Sequence, residues 1–462
     1  MVTWRVRSAS ASLWRRACQG VSDPSARLRC MSRRNREKRA AKQKNRRRAA
    51  AEREHMRFDP GPARVLWQEL LVSALCDAAM CPDDDAEWHA TELLEEFRVL
   101  ARDLGLAADT AMADAIRAAW EAGWLPSDLH ELARRKLEPS AVGYLAEAIV
   151  LESKRYAVAT LHPRWRADLA VISAGIDPSR QTPQMWRWAA LNGVDGCAAL
   201  TVVLKVLALL GTLVALEPLL PLPGARRHTP TTVGEVDEKA LARVRALLAK
   251  AEATKFPEEA EALSAKAQEL MSRYSLHQAV ADHDRNRVPV AAGRRMWIDS
   301  PYAGAKVLLV QAVATANRCR TVWTENLGFV TVVGAETELN LVELLTTSLL
   351  VQANRAMLAT GRQVSSSCHT RTRSFRQSFL VAYATRIGER LDTTNATVTA
   401  EMEDSRLLPV LAARSRAADE LTDRLFPSMV HRPVSASNRA GWGAGRAAAD
   451  LALLDVNASI AG

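Results

Sequence analysis

Apolar positions recur at helical spacing from about residue 57 to about residue 222, and that pattern predicts an all-helical domain over 56–222. Helices are expected over Ala63–Ala79, Ala86–Leu104, Thr110–Ala122, Pro126–Lys136, Ser140–Tyr156 and a long apolar stretch, Asp195–Leu216. Pro60 and Pro62 mark the entry to this domain, and the proline- and glycine-bearing stretch 223–236 reads as a linker. The next segment, 237–284, predicts a helical hairpin. Asp237 is a suitable N-cap, and Val236 with Leu241 form a hydrophobic staple. Leu241, Val244, Leu247, Leu248 and Ala251 make the first apolar stripe. Pro257 restarts a helix whose stripe is Ala260, Leu263, Ala267, Leu270, Met271 and Tyr274. A hairpin of this size cannot bury enough surface to stand alone, so it must dock on a neighbour or a partner.

From 294 to 462 the pattern changes to a mixture of helix and strand. A helix is expected from Ser300 to Asn317, then strands Arg320–Thr324 and Phe329–Val333 joined by Glu325-Asn326-Leu327-Gly328, whose Asn and Gly suit a turn. Helices follow over Glu336–Ala359, Ser374–Leu391 and Asn438–Leu454. The fold class is therefore mainly α: an all-helical domain, a central hairpin and a C-terminal α+β domain with a small antiparallel sheet.

Charge changes the picture only at the N-terminus. The chain has a formal net charge of +10, but residues 1–55 hold 17 Lys+Arg against 4 Asp+Glu, a net of +13, leaving 10 − 13 = −3 for the rest. This points to a basic, disordered arm over 1–55 followed by a nearly neutral body. Within it, Arg33, Arg34, Arg36, Lys38, Arg39, Lys42, Lys44, Arg46, Arg47 and Arg48 are the candidate nucleic-acid-binding residues. Their attraction for DNA or RNA would be salt-dependent and sequence-nonspecific. No aromatic residue lies between Met31 and Phe58, so base stacking is not expected there, and no leucine heptad follows to make a zipper. A solubilising tail is the simpler alternative. The run beginning at Met31 also reads as a natural start of translation.

Cysteines 18, 30, 76, 81, 197, 319 and 368 are scattered without paired spacing, which argues for reduced thiols. With no apolar core in the arginine-bearing opening residues, no signal peptide is expected, and the expected location is the cytoplasm. The Cys197–Leu216 run is long enough to span a bilayer, yet Lys205 lies near its middle and no basic cluster flanks it. It is expected to be a buried core helix, not a membrane span.

The stretch Glu238–Leu276, with RALLAKAEAT, EEAEALSAKAQELM and SRYSL, resembles the bacterial family named for the domain of unknown function 2786. WEAGWLPSDL at 120–129, TVVG at 331–334, RSFRQSFLVAYATRIGERL at 373–391 and RAGWGAGRAAADLA at 439–452 resemble it too. The resemblance implies a cytosolic bacterial protein and brings no catalytic residue with it.

Other motifs are weaker. Ala119, Gly123, Leu129 and Leu132 have helix-turn-helix spacing, with a turn at 122–125, although the basic residues Arg134, Arg135 and Lys136 sit at the far end of the second helix. Cys76, Cys81 and His89 lack metal-ligand spacing, and residue 134 is arginine, which breaks the HExxH string begun by His130 and Glu131. His277, Asp282, His283 and Asp284 read as a polar linker. Gly441, Gly443 and Gly445 read as sites of close helix packing, since no strand precedes them. Cys368 and His369 are neighbours whose side chains diverge, and the loop Gln363–Thr372 with Arg371, Arg373 and Arg376 is the best polar surface of the α+β domain. No catalytic residue, cofactor or metal is expected. The leading expectation is a nucleic-acid-associated, non-enzymatic protein. The alternatives are an enzyme with its site in the α+β domain and an adaptor that binds a protein at the hairpin.

Overall fold

A computed structural model of the chain describes residues 2–4, 62–81, 85–174, 183–225, 242–250, 257–284, 290–363, 373–401, 406–431, 434 and 436–451. The chain divides into two compact units, residues 8–229 and residues 1–7 with 230–462.

The first unit is built of eight helices among the described residues: α1 (Pro62–Ala79), α2 (Ala86–Glu96), α3 (Ala101–Glu121), α4 (Pro126–Lys136), α5 (Pro139–Ser153), α6 (Pro163–Ile172), α7 (Gln184–Asn192) and α8 (Gly196–Gly211). Their starts are set by local chemistry. The Asp85 side chain accepts a hydrogen bond from the Trp88 amide at 3.1 Å, and the Asp195 side chain accepts one from the Ala198 amide at 2.8 Å. Proline occupies the first turn of α4, α5 and α6, where its missing N–H costs nothing.

Where the sequence predicts one helix over 86–104 and another from 110, the chain instead breaks at Phe97 and continues as a single helix from Ala101 to Glu121. Gly105, which reads as a helix end, lies inside α3. A Cβ there would sit 2.5 Å from the Trp186 indole nitrogen, which donates a hydrogen bond to the Ala101 carbonyl at 2.9 Å. The glycine makes room for a tryptophan from α7, and that packing outweighs its poor helix propensity. Helices α6 and α7 were not expected from the pattern. Trp120, Trp124, Tyr144 and Trp165 form the large buried side chains of this unit.

Helix α8 is the apolar stretch. Seven of its aliphatic residues, from Ala199 to Leu210, are buried against the other helices, while Lys205 reaches out to Glu138 at 3.6 Å. Among the described residues, no helix is long and apolar enough to cross a membrane.

The second unit holds a helix over 242–250, here α9, followed by α10 (Pro257–Asp284), α11 (Ala303–Ala316), α12 (Glu336–Gln363), α13 (Arg373–Glu401), α14 (Leu407–Leu425) and α15 (Arg439–Asp450). Its strands are β1 (Val2–Trp4), β2 (Ala292–Trp297), β3 (Arg320–Thr324), β4 (Phe329–Gly334) and β5 (Met429–His431), in the order β2-β4-β3-β1-β5. The antiparallel core β2-β4-β3 runs in register from Ala292 opposite Gly334 and from Arg320 opposite Val333. The β3–β4 turn is the one read from the sequence, with Gly328 at φ 85°. Every residue of β4 is buried, so its two faces are both covered. Helices α11 and α14 contact both β3 and β4.

Three strands lie outside the expected pair. β2 begins just before the expected α+β domain. Val2–Trp4, within the stretch read as an arm, pairs parallel with β3 and antiparallel with β5. Short strands held mainly by long-range pairing leave little periodicity to read. Asp237, the staple pair and residues 251–256 lie outside the described residues, as does the loop 364–372 with Cys368 and His369.

The hairpin finds its cover inside its own unit. Val244, Leu248, Ala267 and Met271 belong to one core with Val310, Val313, Val330, Leu345, Phe379 and Ile387. Leu276 packs with Val398 and Leu407 in a second cluster.

Helix α15 crosses α13 at very short range. A Cβ at Gly441 would lie 2.4 Å from the Phe375 carbonyl oxygen and one at Gly445 would lie 2.2 Å from that of Phe379, whereas one at Gly443 would meet nothing within 4 Å. Gly445→Ala is therefore expected to destabilise the protein by about 2–3 kcal/mol, the scale of core overpacking. Gly443→Ala is expected to be neutral or to stabilise by up to about 1 kcal/mol through helix propensity. Urea denaturation of the two variants beside the parent chain measures both.

Candidate functional site

The ten candidate residues of the arm, Arg33 to Arg48, lie outside the described residues. The helix-turn-helix-like segment is described, and its geometry removes it as a reader of DNA. Gly123 has φ 86°, and a Cβ there would lie 2.3 Å from the Leu216 carbonyl oxygen. The Leu216 amide donates to the Ala122 carbonyl at 2.8 Å, and the Trp124 indole donates to Val214 O at 2.8 Å, so the chain leaving α8 is laid across the turn. At the start of α4, Pro126 and Asp128 are buried and the Ser127 hydroxyl donates to Asp168 on α6 at 2.6 Å. Base contacts are made from that end of a recognition helix, and here it is inside the protein. At the far end Glu131 pairs with Arg134 and Arg135 at 2.7 and 2.8 Å. The spacing reflects core packing.

The remaining sequence candidates separate. Cys76 and His89 are buried, Cys76, Cys197 and Cys319 are not in disulfides, and Cys81 is disulfide-bonded, against the expectation of reduced thiols throughout. Among the described residues no group of three or more His, Cys, Asp or Glu is placed to hold a metal. Asp284 pairs with Arg406 at 2.7 Å, and His277 is exposed. Gly441 and Gly445 serve helix packing, as expected, whereas Gly443, read the same way, has nothing within 4 Å of its Cβ position.

What the structure brings together instead is a buried polar junction where α10 meets the α+β layer. Glu338, on the first turn of α12, is 1% exposed. Its Oε1 accepts from Arg318 Nε at 3.0 Å and from the Ser275 hydroxyl at 3.3 Å, with Arg414 Nη1 3.8 Å away. Arg318 Nη2 donates to Ser275 Oγ at 2.9 Å. Four elements meet here: Ser275 is on α10, Arg318 follows α11, Glu338 opens α12 and Arg414 is on α14. Arg318 stands at φ 58°, the left-handed position that ends a helix and normally suits glycine or asparagine. An arginine there costs about 1 kcal/mol of backbone strain, which its pairing with a buried carboxylate offsets. Among the described residues Glu338 Oε2 has no hydrogen-bond partner. Nearby, burial and the Glu338 charge push the Cys319 thiol well up, and a Cβ at Gly334 would lie 2.3 Å from its sulfur, so Cys319 is a packed core residue and not a nucleophile.

On the edge of the same unit, Arg294 on β2 bridges Glu336 at 2.6 Å and Glu343 at 2.5 Å, fixing the start of α12 to the sheet. Arg320 on β3 pairs with Asp419 of α14 and donates to Ser415 at 3.0 Å.

The helical unit holds a second polar cluster, where Asp109 on α3 receives the Gln184 amide at 3.0 Å and so caps α7 from outside. Gln184 Nε2 donates to the Tyr144 carbonyl at 2.8 Å, and Arg187 pairs with the nearly buried Glu147. Tyr144 is fully buried, and its hydroxyl has no partner among the described residues. Burial pushes the Asp109 carboxyl up to about 6, against the opposing pull of the Gln184 amide and Arg187, with Glu147 adding to the rise.

Of these residues, only Ser275 falls in a segment singled out by sequence, SRYSL. Arg318, Glu338 and Arg414 look like ordinary charges on helices. Nothing local marks them, because the partners are 20 to 139 residues apart.

Residues 239–278 match the family model described as a protein of unknown function, DUF2786, so the chain carries that domain across α9 and most of α10. Ser275 lies inside the matched segment. No curated protein and no solved structure matches the chain.

Glu338→Gln is expected to destabilise the protein by about 3–5 kcal/mol, because it leaves Arg414 and Arg318 without their anionic partner. A shift of the urea midpoint at unchanged slope measures it. For Asp109 the sign follows from a folded value of about 6 above the ordinary 3.8. The folded state holds that proton more tightly, so stability falls as pH rises from about 4 through 6, and the full cost remains above 6. Asp109→Asn keeps an oxygen for the Gln184 amide and removes the charge. It is expected to raise stability at pH 7.5 by about 1–2 kcal/mol, allowing for partial exposure, and to give no gain at pH 4. Thermal melts of both proteins at the two pH values measure the difference.

Proposed function

We propose that this is a nucleic-acid-associated protein whose basic N-terminal arm, centred on Arg33, Arg34, Arg36, Lys38, Arg39, Lys42, Lys44, Arg46, Arg47 and Arg48, holds DNA or RNA without sequence preference, while the rest of the chain does not read bases. The observation that supports it is the segregation of charge: a net of +13 in the first 55 residues against −3 in the remainder. A polyanion is attracted to the arm and finds no comparable field elsewhere. The occlusion of the α4 N-terminus agrees, since the most base-reader-like element is committed to the helical core.

The adaptor reading has less support, because the described part of the stripe that would dock a partner helix, Val244, Leu248, Ala267 and Met271, is buried in the unit's own core. The enzyme reading has no specific observation to support it.

The test is a titration of random duplex DNA and structured RNA at several salt concentrations, with the full chain and with a full-length variant in which Arg33, Arg34, Lys44, Arg46, Arg47 and Arg48 are glutamine. The parent chain is expected to bind with an affinity that falls steeply with salt. The variant is expected to lose most of that affinity and to show a slope shallower by about 0.9 for each duplex phosphate contact removed. Equal binding by the two proteins, or no binding by the parent chain at physiological salt, defeats the reading.

A further inference from the structure

Helix α1 is apolar on both sides. Leu71, Leu75, Cys76 and Ala79 are buried against the rest of the helical unit, as a surface helix requires. The opposite side carries Leu66, Glu69, Leu70, Ser73 and, two turns on, Met80, which form one outward stripe by their spacing and are all exposed. Leu66, Leu70 and Met80 are 66%, 45% and 44% exposed, and the Trp67 indole flanks them at 40%. Helix α2, which packs on α1, repeats the arrangement: Trp88, 43% exposed, shares an outward stripe with Glu92 and Glu95. Single apolar side chains on a surface are ordinary. Five large ones concentrated on two packed helices mark an interaction surface.

The same face is acidic. Among the described residues the Glu69, Glu92 and Glu95 side chains have no ion pair, whereas Glu131, Glu147 and Glu152 of this unit are each paired with an arginine. The side chain that suits exposed indoles and carboxylates together is arginine. Its planar guanidinium stacks on an aromatic face while its N–H groups reach a carboxylate, and its stem lies along apolar surface. The chain carries a segment of that chemistry: residues 33–48 hold ten Lys+Arg against one Glu, just ahead of α1. From Arg48 to Pro62 is a step of 62 − 48 = 14 residues, which span at most about 50 Å. Helix α1, of 18 residues, is about 27 Å long, so its whole stripe is within reach.

We propose that the outward face of α1 and α2 is a docking site for the chain's own basic segment, residues 33–48, and that a polyanion reaches this segment by competing with the face. Exposed ion pairs and cation–π contacts are individually weak, so the face holds a separate peptide only loosely. The tether changes the balance, because a segment joined to its site by a short stretch of chain meets it at an effective concentration of about a millimolar. The docking itself stands on the face and the segment alone, while its effect on nucleic-acid binding rests on the function proposed above.

The test uses full-length proteins and a fluorescent peptide of residues 31–53 at low salt. The proteins are the parent chain, the arm variant with glutamine at Arg33, Arg34, Lys44, Arg46, Arg47 and Arg48, and that arm variant with one of two further sets of changes. The first set is Glu69→Gln, Glu92→Gln and Glu95→Gln. The second, Asp392→Asn, Glu420→Gln and Asp423→Asn, removes the same charge from exposed positions of the other unit. Fluorescence anisotropy is expected to show the peptide binding the arm variant at least five-fold more tightly than the parent chain, whose site is filled in cis. The first set is expected to weaken that binding at least five-fold and the second less than two-fold. Leu66→Ser with Leu70→Ser in the arm variant is expected to weaken it at least three-fold at unchanged charge. Equal peptide affinity for the parent chain and the arm variant, or equal loss from the two carboxylate sets, overturns the docking site, and an unchanged affinity in the double serine variant overturns its apolar half. Duplex DNA titrated against the parent chain carrying either carboxylate set is expected to bind at least three-fold more tightly with the first, and equal affinities overturn the competition. If none of the proteins binds DNA, the function proposed above fails with the competition, and the peptide titrations still decide the docking site.

Discussion

The second unit depends on one requirement: the apolar stripe of the α9–α10 hairpin has to be covered, and it has to be covered in a single register. About forty residues of helix bury too little on their own to fold. The cover is supplied by α11, α12 and α13, through a core that runs from Val244 and Met271 to Ile387 without a boundary. Apolar contact alone is tolerant of sliding. The Ser275–Glu338–Arg318–Arg414 junction is not, because each group has fixed hydrogen-bond directions and a buried ion that loses its partner is costly. The DUF2786 segment is thus part of a composite fold and not a module on a string.

The same logic explains where strain and small residues appear. Arg318 takes a left-handed conformation because its guanidinium must reach back to Glu338 from the end of α11. Gly441 and Gly445 let α15 approach the α13 backbone, and Gly105 admits Trp186. In each case a residue that looks like a local breaker is a long-range fit. Sequence periodicity reports which face is apolar and says little about how close the next backbone comes.

This difference sets what could be read in advance. Helices with strong amphipathic stripes and explicit ends were legible: α1, α4 and α15 fall within a few residues of expectation, and the β3–β4 hairpin was marked by its Asn and Gly. The helix pairing across Gly441 and Gly445 was legible too. Elements whose stability comes from tertiary contact were not. α6 and α7 are short, β2 is half-buried with two arginines, and β1 and β5 are three residues each. The polar junction was the least visible feature, since a buried glutamate and a solvated one are the same letter. A helix-turn-helix spacing, conversely, was visible and misleading, because two packed helices with a glycine between them produce it whenever a third segment must cross the turn, as 213–217 does over Gly123.

Taken with the charge map, these features divide the work within the chain. A long-range electrostatic partner needs only density of like charge, and that is concentrated in residues 1–55. A partner recognised by shape needs apolar surface or backbone held on a rigid frame, and the described part of the hairpin stripe, Val244, Leu248, Ala267 and Met271, is buried in its own core. The frame itself is set by β4, which pairs with β2 on one side and β3 on the other and is buried along its whole length.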